Sequence, residues 1–258
     1  MNRLDLFVVI VCVLLRNVIA DANLIFDAVG YNHGRYGADP HQYYHSSDVV
    51  SPLLLVNRWS PHRTDDAQFI FLTLNSPVNG GTAGPVIYRS DDLSLVYSDP
   101  RWSAARNAHI GKFNGDNYLV FIEQAQVGNG PSTNCLMYDS TYTLAYNISS
   151  HGPANASMGI HECQLSSDGS AVVILIDRIP FDLSSIGGPK DGEILDNIIQ
   201  EIDIATGNLL WMWRASDHYG LSESYREYKH VSGAYDYIHM NSAAKVGISR
   251  LVLSSSFK

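Results

Sequence analysis

One hairpin shape recurs three times along this chain, each time after a run rich in β-branched and aromatic residues. Val86-Ile-Tyr-Arg turns into residues 93–97, Cys135-Leu-Met-Tyr-Asp139 into 144–148, and Ile199-Gln-Glu-Ile-Asp203 into 209–213. The preceding apolar runs are 68–74, 118–124 and 171–178; a fourth, 250–255, has no hairpin after it. Three of these runs follow a segment that opens on histidine: His109-Ile-Gly-Lys-Phe, His161-Glu-Cys-Gln-Leu and His239-Met-Asn-Ser. The unit is therefore strand, strand, hairpin, or four antiparallel strands in roughly 50–75 residues, the size and content of a propeller blade. Amphipathic helical patterns are lacking, which leaves an all-β reading. A β-sandwich also uses short strands, but it does not predict this internal register.

The repeat divides the chain into blades at about 50–99, 105–150 and 157–214, with half of a fourth at 235–258, or about three and a half blades. Residues 23–49 carry Gly30, Gly34, Gly37 and Pro40 among many Tyr and His, and read as an irregular lead-in. Residues 179–197 and 214–234 read as polar excursions between strands. In a propeller the first strand of each blade lines the central channel. His109, His161 and His239 hold equivalent places on first strands, so the register brings three imidazoles from distant sequence toward one axis.

The amino terminus sets the compartment. Residues 6–15 (LFVVIVCVLL) are continuously apolar. That run is shorter than the roughly 20 residues a membrane helix needs, and it matches a signal-peptide core. Ala20-Asp21-Ala22 offers small residues where a signal peptidase reads, so residues 1–22 are a signal peptide and the mature chain is secreted, with no membrane segment. Cys12 leaves with it, and the remaining Cys135 and Cys163 either pair or stay as two buried thiols. A bridge between them closes a loop of about 29 residues, nominally about 3–4 kcal/mol of chain entropy. Asn147-Ile-Ser and Asn155-Ala-Ser are two glycosylation sequons in one connecting segment. The net charge of −9 and the lack of any Lys/Arg cluster argue against a nucleic-acid partner.

The segments Gly159-Ile-His161-Glu162, Glu201 to Trp213 followed by Asp217-His218, and above all Tyr235-Asp236-Tyr-Ile-His239-Met-Asn241-Ser242 resemble the arylsulfotransferase family, most closely its eukaryotic, fungal-type branch. The resemblance covers most of residues 50–258. It implies a six-bladed propeller, of which this chain holds part, that moves a sulfuryl group from a phenolic sulfate donor to a phenol acceptor without a cofactor. It further implies a sulfohistidine intermediate on a channel histidine, assisted by other histidines and an arginine. His161 and His239 match the assisting histidines. Ser256 and Phe257 stand where the family carries Arg and His, and the family's nucleophile falls beyond Lys258. The chain as given is thus expected to lack turnover of its own. The alternatives are a non-catalytic secreted propeller that binds a phenolic, glycan or protein ligand, and a partial product without a stable fold.

Each candidate residue also has a plainer reading. A lone histidine is more often a hydrogen-bonded core residue, but the shared register and motif context of His161 and His239 favour a channel site; His109 lacks motif support. Glu162, Asp236 and Asn241 orient the histidines or cap strand ends. His218 reads as a loop contact. The histidine spacings form no local metal signature, so no metal is assigned. The secretory reading is checked by N-terminal sequencing of extracellular protein, which is expected to begin at Asn23; cytosolic protein with Met1 intact would remove it.

Overall fold

The computed structural model describes residues 24–44, 47–58, 60, 67–74, 83–127, 130–152, 156–229, 233–246 and 250–255. Residues 1–22, expected to be a signal peptide, the sequon residue Asn155, and Ser256 and Phe257 lie outside the described residues. The chain forms two compact units. One comprises residues 1–70, 75–82 and 86–98; the other comprises 71–74, 83–85 and 99–258.

In the first unit the lead-in is more ordered than its Gly and Pro content suggests. Helix α1 (Ala28–Asn32) is capped by Asp27, whose carboxylate accepts from Gly30 N at 2.8 Å. Strands β1 (His41–Tyr44) and β2 (Ser47–Pro52) then pair antiparallel. Strands β3 (Phe69–Leu74), β4 (Gly84–Arg89) and β5 (Leu95–Ser98) form a three-stranded sheet. The expected blade at 50–99 therefore shows three strands in its sheet among the described residues, because β2 pairs with β1 instead.

The second unit holds two four-stranded antiparallel sheets, each a meander in sequence order. The first is β6 (Arg106–Phe113), β7 (Asp116–Val127), β8 (Gly130–Tyr138) and β9 (Leu144–Ser149). The second is β10 (Ser157–Leu165), β11 (Ser170–Phe181), β12 (Gly192–Asp203) and β13 (Leu209–Arg214). Strands β14 (Met240–Val246) and β15 (Arg250–Ser255) make a two-stranded sheet. The polar excursion expected at 179–197 shrinks to residues 182–191. Strand pairing continues through Ile179↔Ile194 to Phe181↔Gly192. Ile194 is fully buried there, so the hairpin gains apolar burial by extending despite its polar neighbours.

The centre of sheet β10–β13, in strands β11 and β12, is buried on both faces, and its side chains alternate between two cores. Ala171, Val173, Leu175, Ile198 and Ile202 pack with Val120, Ile122, Met137 and Ile148 of the preceding sheet. Val172, Ile174, Ile194 and Ile199 turn the other way, toward Leu221, Tyr235, Tyr237, Ile238 and Met240. This explains why residues 171–175 are continuously apolar rather than alternating. Cys135 of β8 and Cys163 of β10 form a disulfide with Cα atoms 6.2 Å apart, joining the two four-stranded sheets inside the first core.

Replacing both cysteines by alanine is expected to lower unfolding free energy by about 3–4 kcal/mol, the chain-entropy value for a loop of this length. Denaturant titration of the oxidised protein against the double variant measures it, and superimposable curves would show that the bond adds no stability.

Candidate active site

Three histidine-bearing segments meet along the first strands. Strand β10 packs against both β6 and β14. The approach to β6 is close enough that a Cβ on Gly111 would lie 2.5 Å from Leu165 Cδ1, so a side chain there would have to displace Leu165. All three strands break their ladders beside the histidines. The register shifts between Arg106 and His109 in β6, between Met158 and Cys163 in β10, and between Met240 and Ser242 in β14. Such bulges release side chains from strict alternation and re-aim them.

Two of the three imidazoles come together. The rings of His161 and His239 lie with centroids 5.2 Å apart and planes at 72°, edge to face. His239 Nδ1 is 2.9 Å from Asp236 Oδ2, three residues earlier. With Nδ1 donating to the carboxylate, the neutral ring keeps its lone pair on Nε2. Asp236 Oδ2 also lies 3.4 Å from Arg226 Nη1, which donates to the Asp236 carbonyl at 3.1 Å. The other carboxylate oxygen, Oδ1, is buried with no hydrogen-bond partner among the described residues. His109 is half-buried and its Nδ1 sits 2.8 Å from the Asn107 carbonyl on its own strand. His218 stacks flat on Trp213 with centroids 4.9 Å apart, a loop contact.

The backbone around the pair is held by buried amides and a carboxylate. Asn197 of β12 clamps the chain on either side of His239: its Nδ2 donates to Ile238 O at 2.5 Å, and its Oδ1 accepts from Met240 N at 3.2 Å. Asn107 has φ of 55°, a left-handed conformation that asparagine tolerates better than most residues. Its side chain donates to His161 O at 3.1 Å and reaches Glu162 Oε1 at 3.4 Å. Glu162 in turn accepts from the backbone N–H of Ala243 on β14, so one carboxylate ties together all three first strands. Asn241 sits half-buried at the β14 bulge. Asn147 is exposed on β9. Asn197, Asn107 and Arg226 were not picked out from sequence. Asp196-Asn197 carried the one available signal, a polar pair set between the apolar pairs 194–195 and 198–199.

Desolvation sets the protonation preferences. Burial, and to a lesser degree the neighbouring His239, hold the His161 imidazole below the ordinary histidine value of 6.5. Burial pushes the Glu162 carboxyl up, against the opposing hydrogen bonds from Ala243 N–H, the Asn107 side chain and Cys163 N–H. Among the described residues no His, Cys, Asp and Glu side chains cluster in threes to hold a metal. No helix among them is long and apolar enough to cross a membrane.

Residues 112–257, more than half of the chain, match the family described as arylsulfotransferase (ASST). The chain belongs to the arylsulfotransferase family. No curated protein and no solved structure matches it. The arylsulfotransferase match contains the whole constellation of His161, Glu162, Arg226, Asp236 and His239.

The depressed His161 value has a stability consequence of definite sign. Its folded pKa lies below the unfolded one, so as pH falls the unfolded chain takes up this proton first. The contribution is complete above 6.5 and is lost as pH drops from 6.5 through the folded value. NMR titration of His161 is expected to give a midpoint below 6.5. His239→Ala should move that midpoint only part of the way back, since burial is the larger cause. His161→Gln should flatten this part of the stability–pH curve. An identical His161 midpoint in wild type and His239→Ala would show that the rings do not interact.

Proposed function

We propose that the His161–His239 pair is the proton-handling part of a sulfuryl-transfer site that acts on phenolic sulfates, in a β-propeller whose first strands line the reaction channel. The observation that carries this reading is the edge-to-face contact at 5.2 Å between imidazoles 78 positions apart in sequence, inside the arylsulfotransferase match. The consecutive four-stranded meanders and the packing of β10 against both β6 and β14 support the propeller.

In sulfuryl transfer the sulfur–oxygen bond of the donor breaks and its electron pair stays on the phenolate oxygen, which then needs a proton. The acceptor phenol forms the new sulfur–oxygen bond and loses its own proton. Both proton movements suit imidazoles working near neutrality. His161, kept toward its neutral form, is suited to accept the acceptor's proton. His239, backed by Asp236 at Nδ1, is suited to carry a proton on Nε2 and deliver it to the departing phenolate. The resemblance assigns the sulfohistidine to another histidine, so these two take assisting roles, with Asp236, Glu162 and Asn241 supporting them. The reading includes an oxidising, extracellular setting, which the Cys135–Cys163 disulfide favours.

Titration of the protein with phenyl sulfate is expected to shift both imidazole resonances, and His161→Ala and His239→Ala should each weaken binding about tenfold, the scale of one lost hydrogen bond to a charged group. A response to glycans or a protein ligand with none to phenyl sulfate would replace this reading with a non-catalytic binding propeller.

A further inference from the structure

We infer that Arg226 is the residue that captures the negatively charged sulfuryl group beside the histidine pair, exchanging its contact with Asp236 for the donor's sulfate oxygens. The inference rests on the sulfuryl-transfer reading and extends it by a residue that no family motif marks.

The position is the first support. Arg226 Nη1 and His239 Nδ1 share one oxygen, Asp236 Oδ2, at 3.4 and 2.9 Å. A guanidinium thus stands on the same carboxylate that orients the imidazole. Its backbone is fixed while its head is not. Arg226 N donates to Ser224 Oγ at 3.1 Å, and Arg226 O accepts from the Tyr235 hydroxyl. Ser224 Oγ is itself anchored to Tyr237 O at 2.6 Å. The side chain, by contrast, is 47% exposed and meets Asp236 through Nη1 alone. Its Nε and Nη2 have no protein partner among the described residues. An ion pair made through one nitrogen of a half-exposed guanidinium contributes little stability, and after its exchange for an anionic ligand Asp236 Oδ2 still holds His239 Nδ1.

Two other cations near these strands are committed to buried or partly buried carboxylates. Arg214 is held between Asp196 at 2.8 Å and Asp177 at 3.3 Å, with both carboxylates buried. Lys245 is held between Asp168 and Glu201, each at 2.5 Å. Each balances two carboxylates and presents no surplus positive charge. His161 does not substitute for a fixed cation, since burial holds it toward its neutral form. A sulfuryl group carries oxygens in a fixed tetrahedral fan, and a planar guanidinium with unused N–H groups is suited to engage two of them at once. When it does so, Asp236 gives up one cation but keeps His239.

The test uses the oxidised 258-residue chain and two probes that differ only by the sulfuryl group, phenyl sulfate and phenol, with binding followed calorimetrically. Arg226→Gln is expected to weaken phenyl sulfate about tenfold or more and to leave phenol unchanged. Arg226→Lys should recover part of the loss, because it restores charge without the fork. Phenyl sulfate binding should also weaken with added salt in wild type and much less in Arg226→Gln. Equal phenyl sulfate affinity in wild type and Arg226→Gln, with His239→Ala still weakening it, would overturn the assignment to Arg226 and leave the sulfuryl reading intact. Equal weakening of phenol and phenyl sulfate in Arg226→Gln would show a structural role and also overturn it. Phenyl sulfate that neither binds wild type nor shifts the two imidazoles would remove both.

Discussion

Burial of the central strands β11 and β12 on both faces is the constraint on which the rest of the second unit depends. A strand alternates its side chains, so a sheet with one wet face needs only every second residue to be apolar. Here Ala171 to Leu175 are all fully buried, with odd positions in one core and even positions in the other. The preceding sheet closes one face. The segment that leads into β14 closes the other, with Tyr235, Tyr237, Ile238 and Met240. His239 lies between two of those buried residues. Its place in the chain is thus set by packing, while its ring is oriented by the contact of Nδ1 with Asp236.

That arrangement also explains how the polar side chains Asp196 and Asn197 of β12 are buried yet satisfied. Strand β12 carries Asp196 and Asn197 where apolar residues would be simpler. Asn197 clamps the backbone around His239, and Asp196 accepts from Ser216 N and Ser216 Oγ while pairing with Arg214. Removing one member of such a network leaves a buried group unpaired, which costs more than the bond itself contributes. Glu162 works similarly across β6, β10 and β14. The ladder breaks at the bulges provide these groups with room and direction, and each break falls within a few residues of a histidine.

Much of this was legible in the residues because two signals repeat. The strand–strand–hairpin spacing set the order of β6 to β13, and the shared place of His161 and His239 before a strand brought them to one locality. What sequence hid follows from the same physics. The lead-in's glycines and proline suggested irregularity, but the Asp27 cap and the β1–β2 pairing depend on contacts that composition does not report. The hairpin extension through Ile179↔Ile194 was masked by flanking polar residues whose partners are distant in sequence. His109 shares the register of the other two, yet the bulge at 107–108 turns it to its own strand's carbonyl. Arg226 was invisible for a different reason. It lies in a polar excursion with no periodicity, and its relation to Asp236 is purely spatial.

The electrostatics of the locality follow from which groups are desolvated and which are not. Burial moves His161 and Glu162 each toward its uncharged form, the base downward and the acid upward. The same cause opposes the charged form of both groups. Beside them lie Asp236, which bonds His239, and Arg226, whose guanidinium is still in contact with water. The chain as a whole is acidic, at −9, and taken alone that would repel a sulfate ester. At physiological ionic strength, however, exposed charges more than about 8 Å away are largely screened. The field an incoming anion meets is therefore local. It is set by an exposed guanidinium beside two rings, one held toward neutrality and one fixed through its Nδ1. An acidic protein and an anionic substrate are compatible on these terms, provided the nearest uncommitted charge is positive.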